Sequence, residues 1–124
     1  MAWNFDAHRP IFAQIAERLT EDILCGRYPP GGRLPSVREL AVEAAVNPNT
    51  VQRALAALES AGLAATNRGA GRCVTEDKAV IAAARRTQAA GLTRTYLQRM
   101  AALGFDRTAA AQLLSEIETG GENQ

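Results

Sequence analysis

Asn49, Gln52 and Arg53 crowd into a turn and a half of chain, within "NPNTVQRALAALESAGL". Amide and guanidinium side chains carry paired donors and acceptors that match base edges in a DNA major groove. At a helical step, Asn49 and Arg53 fall opposite the apolar stripe Val51, Leu55 and Leu58, with Gln52 on the flank. A solvated face without a ligand more often shows Glu and Lys, so this face is read as a binding surface. Catalytic chemistry has little to work with. His8 is the only histidine and lies in an N-terminal arm, while Cys25 and Cys73 have no CxxC spacing. Zinc needs four such ligands, and a nucleophilic triad would have to use His8. No glycine-rich phosphate loop of the GxGxxG or GxxxxGK[ST] type occurs. No enzyme, cofactor or metal is expected, and both cysteines are read as small apolar fillers.

Those polar residues need a helix to carry them, and its start is written locally. Asn47 is suited to cap, and Pro48 follows at the first helical position, where a missing N–H costs nothing. Val51, Ala54, Leu55 and Leu58 form its buried stripe, and Gly62 ends the run. The preceding helix opens with Ser36 and Glu39, the spacing of a capping box, and buries Val37, Leu40, Ala41 and Ala44. Two short helices about a tight turn make a helix-turn-helix. An earlier helix over 10–25 carries Ile11, Phe12, Ile15, Leu19 and Ile23 on one stripe, closed by Gly26 and the turn "YPPGGR". Two strand candidates, 63–66 and 72–74, flank "NRGAG", a hairpin loop with glycines suited to positive φ and Arg68 at its tip. Three helices and a hairpin define a winged helix, and Arg68 on such a loop suits a narrow minor groove.

The chain becomes helical again beyond Thr75. A segment over 77–103 aligns Ala89, Leu92, Tyr96, Met100 and Leu103, and a last helix over 106–118 aligns Ala110, Leu113, Leu114 and Ile117. Asp106 is its expected cap, between Phe105 and Ala110 as a hydrophobic staple. Two such helices make no core of their own, so they are expected to pack on the first part or on a second copy. The expected fold is mainly α with one small β-hairpin: a winged helix-turn-helix over 1–75, then a helical dimerisation segment over 76–124. Leu92, Tyr96, Met100, Leu103, Leu113, Leu114 and Ile117 are the dimerisation candidates. Trp3 and Phe5 either cover the core or reach the partner subunit.

The whole chain sets wider bounds. Its 124 residues are 47% hydrophobic and 22% charged, which describes a globular protein. No apolar run approaches the ~20 residues that span a bilayer, and "MAWNFDAHRP" lacks the pattern of a secretion signal. A cytoplasmic location is expected. A net charge of +1 does not announce a nucleic-acid binder, but the placement of charge decides binding, and a dimer aligns two sets of basic side chains. Lys78 is the sole lysine, and Arg, the basic residue used elsewhere, suits bidentate contacts.

In order, "PIFAQI", "GRYPPGGRLPSVRELA", "NPNTVQRALAALESAGL" and "RGAGRCV" resemble the N-terminal winged helix of GntR-family bacterial transcription regulators over residues 10 to 75. The short helical tail is similar to the YtrA-type branch, whose members dimerise through those helices and lack a large effector domain. The resemblance implies a homodimeric repressor on a palindromic double-stranded operator, controlling a nearby operon, commonly one for an ABC transporter. It implies DNA contacts by Arg38 on the second helix, by Asn49, Thr50, Gln52 and Arg53 on the third, and by Arg68 and Gly69 at the wing tip. Ser36 and Asn47, at the two helix starts, complete the candidate DNA-binding set. Some members carry Arg where this chain has Pro48 or Gln52, so their base preferences do not transfer. Two other functions compete with this one. A winged helix serving protein–protein contact would more often present aromatic anchors on this face. The aminotransferase-like, pyridoxal-phosphate branch needs far more chain than follows Thr75.

Overall fold

The computed structural model describes residues 3–117. Its elements run α1 (Ile11–Leu24), α2 (Val37–Ala44), α3 (Pro48–Ser60), β1 (Ala64–Asn67), β2 (Gly71–Val74), α4 (Lys78–Ala102) and α5 (Arg107–Glu116). The chain forms two compact units, Met1–Arg85 and Arg86–Gln124. The first runs beyond the boundary expected at residue 75, because Val80, Ile81 and Ala84 of α4 pack on its core.

Each apolar stripe of the sequence turns inward in the first unit. Ile15, Leu19 and Ile23 of α1, Leu40 and Ala44 of α2, and Val51, Ala54, Leu55 and Leu58 of α3 are all buried. Leu34, Leu63, Ala64, Val74 and Ile81 close the core. Trp3 joins it at 9% exposure, so its place is in the core of its own chain. Its ring nitrogen donates to Glu43 Oε2 at 3.1 Å, and the Arg18 guanidinium lies 4.2 Å from the ring centre. Cys25, expected as an apolar filler, is exposed; it follows the last residue of α1, where the buried stripe has ended. Cys73 is half-buried.

Local chemistry fixes the turn between α2 and α3. The N–H groups of Ala45 and Val46 donate to the carbonyls of Val42 and Ala41, at 3.3 and 3.0 Å, closing α2 with a Schellman motif. That motif puts Ala45 at φ 59°, ψ 49°, the left-handed region where a Cβ meets the neighbouring carbonyl. The chain is then free to leave α2 and enter α3 through the Asn47 cap.

β1 and β2 pair antiparallel, Ala64 opposite Val74 and Asn67 opposite Gly71. The Ala70 N–H donates to the Asn67 carbonyl at 3.0 Å, with Gly69 at φ 87° in the third turn position, which a type II turn reserves for glycine. The stretch read only as a turn before α2 also pairs with β2. Gly31 N–H donates to the Val74 carbonyl and Leu34 N–H to the Arg72 carbonyl, at 3.0 and 2.9 Å. The wing is therefore stitched to the start of the helix-turn-helix.

In the second unit the turn after Ala102 closes α4 with Gly104 at φ 94°, and the Phe105 N–H donates to the Met100 carbonyl at 2.9 Å. Asp106 caps α5, accepting the Ala109 N–H at 2.8 Å. The helix expected to reach residue 118 stops at Glu116, and Ile117 has extended backbone. Ser115 and the β-branched Ile117 are weak formers for a final turn, and Ile117 leaves the helical stripe.

Strain at Ala45 is removable. Ala45→Gly should raise unfolding stability by about 0.5–1 kcal/mol, since relief of the left-handed Cβ clash outweighs the added freedom of the unfolded chain. Urea denaturation of both proteins at one pH checks this, and an unchanged or lower midpoint would show that Ala45 bears no strain.

Candidate nucleic-acid interface

The starts of α2 and α3, the polar side of α3 and the hairpin tip are the parts where the candidate residues lie. The buried stripe of α3 fixes its rotation, so Asn49, Gln52 and Arg53 are all exposed while Thr50 is half-buried. Both helices present the positive end of a helix dipole, a general setting for phosphate oxygens, but at α3 Pro48 has no N–H and the Asn49 and Thr50 N–H groups are already bonded to Asn47.

Some candidates are already engaged within the chain. Asn47 Oδ1 accepts the Asn49 N–H at 2.7 Å, so its oxygen is spent on the cap. Ser36 Oγ accepts the Glu39 N–H at 3.1 Å, and the Ser36 N–H donates to Glu39 Oε1 at 2.8 Å, the full capping box. Arg53 lies over Phe12 of α1, 4.0 Å from its ring centre, so its guanidinium leans toward α1. Gln52 Oε1 accepts from Arg72 Nη2 at 3.1 Å.

Arg72 was missed by sequence reasoning, which used it only as a strand residue. Besides Gln52, it meets Glu59 at 3.5 Å between Nε and Oε2, an electrostatic contact without hydrogen-bond geometry. The same Glu59 oxygen accepts the Thr66 hydroxyl at 2.7 Å. α3 and both strands of the wing are thereby joined through side chains. No local signal marked this, since Arg72 and Gln52 are twenty positions apart.

Asn49, Arg38 and Arg68 make no side-chain hydrogen bond or ion pair among the described residues, and all three are exposed, as is Gly69. They stand on α3, on α2 and at the wing tip. Among the described residues no group of His, Cys, Asp and Glu is placed to hold a metal ion. No helix there is long and apolar enough to cross a membrane.

The dimerisation candidates belong to the second unit. Leu92, Leu103, Leu114 and Ile117 are well exposed, at 60–74%, whereas Tyr96, Met100 and Leu113 are half-buried. Leu92, Tyr96, Leu97, Ala110 and Leu114 line an apolar hollow of about 460 Å³ between α4 and α5.

Three helices with the second and third in a helix-turn-helix, closed by a hairpin, make the first unit a winged helix of the kind found in transcription regulators. The family described as "Bacterial regulatory proteins, gntR family" matches residues 12–74, and the chain belongs to that family. A GntR family transcriptional regulator from Listeria monocytogenes superposes with a TM-score of 0.83 at 38% identity, over 92% of this chain and 100% of that one. The transcriptional repressor YtrA of Bacillus subtilis is 46% identical over 68 residues, 55% of this chain and 52% of YtrA, so the likeness spans about half of that repressor. The DNA-binding domain of AraR in complex with operator ORR3 superposes with a TM-score of 0.53 at 28% identity, over 60% of this chain and 88% of that one. Fold and relatives are those of transcriptional regulators rather than enzymes.

The capping box at α2 has a consequence in acid. Hydrogen bonds from the Ser36 N–H, then its hydroxyl, hold the Glu39 carboxyl below the usual glutamate value. A depressed carboxylate stabilises the fold above its unfolded pKa, and that part is lost as pH falls through the folded value. Ser36→Ala keeps the backbone donor but loses the hydroxyl, so the Glu39 titration should move part of the way back toward an ordinary glutamate. A carboxyl ¹³C NMR titration of both proteins measures it, and coincident curves would show that the hydroxyl contributes nothing.

Proposed function

We propose that the chain is a homodimeric, sequence-specific repressor that works in the cytoplasm and binds an imperfect palindrome in double-stranded DNA. The observation that carries this reading is the polar face of α3, exposed opposite a fully buried stripe and flanked by Arg38 and Arg68. The likeness to YtrA, a named repressor, and to AraR bound to an operator supports it. The regulated genes are taken to be a nearby operon, with an ABC transporter as the class that the family resemblance implies.

In this proposal residues 1–75 carry the DNA-binding function, and each side chain has its own task. Asn49 and Gln52 read base edges in the major groove. Arg38 and Thr50 hold phosphates, helped by Ser36 and the Asn47-capped start of α3. Arg53 moves off Phe12 or keeps one edge of its guanidinium for the backbone. Arg68, on the turn that Gly69 permits, enters the minor groove. The alternative of a protein–protein module draws its support from Val42, 77% exposed beside Val37, Ala41 and Val46. It leaves the amide pair on α3 without a task, so DNA is the better reading.

Residues 76–124 supply the dimer contact in the same proposal. Leu92, Tyr96, Met100 and Leu103 of the α4 segment, with Leu113 and Leu114, meet their copies and cover the exposed leucines; Ile117 sits at the margin. Leu92→Asp with Leu114→Asp should turn a dimer into a monomer at micromolar concentration by light scattering, with the fold kept by circular dichroism. A double variant that stays dimeric would remove this surface from the role.

Binding to a library of single-base operator variants at two salt concentrations tests the readers and holders. Asn49→Ala should cost roughly 1–3 kcal/mol and relax preference at one symmetric pair of positions. Arg38→Ala should weaken all sequences alike and lower the salt slope by about one for each phosphate that Arg38 neutralises. Arg68→Ala should chiefly hurt sites with A·T-rich, narrow minor grooves under the wing. Unchanged preference in Asn49→Ala, together with a base-specific effect of Arg38→Ala, would reverse the assignment.

A further inference from the structure

We infer that Arg72 of β2 determines which base Gln52 selects, by fixing the orientation of the Gln52 side-chain amide toward guanine. The inference rests on the DNA-binding reading above and deepens it. Every nitrogen of an arginine donates and none accepts. The Gln52 atom 3.1 Å from Arg72 Nη2 must therefore be Oε1, which settles the orientation of that amide. Its amino group, with two donors, is left for the groove, and it makes no hydrogen bond among the described residues.

Arg72 is itself held. Glu59 Oε2 lies 3.5 Å from its Nε and accepts the Thr66 hydroxyl, so the guanidinium sits between α3 and the hairpin, about three-quarters buried. A neighbouring carboxylate keeps the positive charge from being drawn out toward a phosphate. The Gln52 orientation is thus set before DNA arrives.

The chemistry of the base edges then gives the preference. Glutamine reads adenine with both ends of its amide, the oxygen accepting from N6 and the amino group donating to N7. Arg72 turns the oxygen toward β2, which leaves the donor end. Guanine offers only acceptors on its major-groove edge, N7 and O6, and suits a donor group. At the operator position that depends on Gln52, guanine is therefore favoured over adenine, and Arg72 is a positioning residue for this choice.

Selection from random duplex DNA, followed by binding to single-base variants, tests it on the full chain. The wild type should favour guanine over adenine by roughly tenfold at the position that Gln52→Ala relaxes. Arg72→Ala should bring that ratio near one at this position and leave preference elsewhere unaltered. Gln52→Glu keeps a partner for Arg72 but has no donor, so it should exchange guanine for cytosine there, and it covers the case in which Arg72→Ala disturbs the hairpin. A wild-type preference for adenine, an Arg72→Ala protein that still prefers guanine, or a Gln52→Glu protein that does so would overturn the inference. So would uniform weakening by Arg72→Ala with a smaller salt slope, which would make Arg72 a phosphate holder. Wild-type protein with no selective binding would overturn the DNA-binding reading and this inference together; selective binding whose base choice ignores Arg72 overturns this inference alone.

Discussion

Burial of Val51, Ala54, Leu55 and Leu58 against the core fixes the rotation of α3 about its own axis, and with it what the opposite face presents. One residue of slip turns a helix by about 100°. Asn49 would then move toward the core and Thr50 would take its place outside. Such a slip would strand an amide among Ile15, Leu19 and Leu40, where an unpaired polar group costs about 1–3 kcal/mol. The apolar stripe therefore specifies the polar face as firmly as it specifies the fold. The flanking devices serve the same end: the Schellman turn at Ala45 ends α2, the Asn47 cap starts α3, and pairing of residues 31–34 with β2 sets the wing beside them.

The polar face is not a uniform set of free side chains. Asn49, Arg38 and Arg68 stand without side-chain partners among the described residues, whereas Gln52 is held by Arg72, and Arg53 lies on Phe12. Held groups lose less conformational freedom on meeting a ligand, and free ones lose more but adapt. Charge follows the same division. Glu59 offsets Arg72 close to α3, which keeps the local field modest and agrees with a net charge of only +1. On the DNA-binding reading, selectivity leans on directional hydrogen bonds rather than on a broad basic surface, since charge alone attracts every sequence alike.

What the sequence made legible, and what it hid, follows the range of each interaction. The caps at Ser36, Asn47 and Asp106 involve neighbours two or three positions away, and the stripes repeat at the helical period, so both could be read directly. Contacts between distant positions have no such signature. Arg72 with Gln52, Phe12 beneath Arg53, and Trp3 on Glu43 exist only because the fold brings these residues together. Two misreadings came from ends of elements. Cys25 looked apolar but follows the last turn of α1, and Ile117 kept the α5 period after the helix had stopped. The left-handed alanine at position 45 was hidden as well, because glycine is the residue that normally announces such a turn.

The two units meet water in opposite ways. Val42 aside, the first buries most of its large aliphatic side chains and shows polar groups, while the second leaves Leu92, Leu103 and Leu114 at 62–74% exposure. Full burial of a leucine is worth about 1.5–3 kcal/mol, so an unpartnered surface of this kind forgoes a sizeable gain. On the dimer reading, pairing recovers it and also links two copies of α3. Binding of the second half-site then becomes intramolecular, and its effective concentration depends on the geometry between the two copies rather than on protein in solution. A modestly charged winged helix with a few directional contacts gains most from such linkage, because each half-site alone has little electrostatic attraction to hold it. Apolar exposure in the second unit and restrained charge in the first are, in that sense, parts of one design.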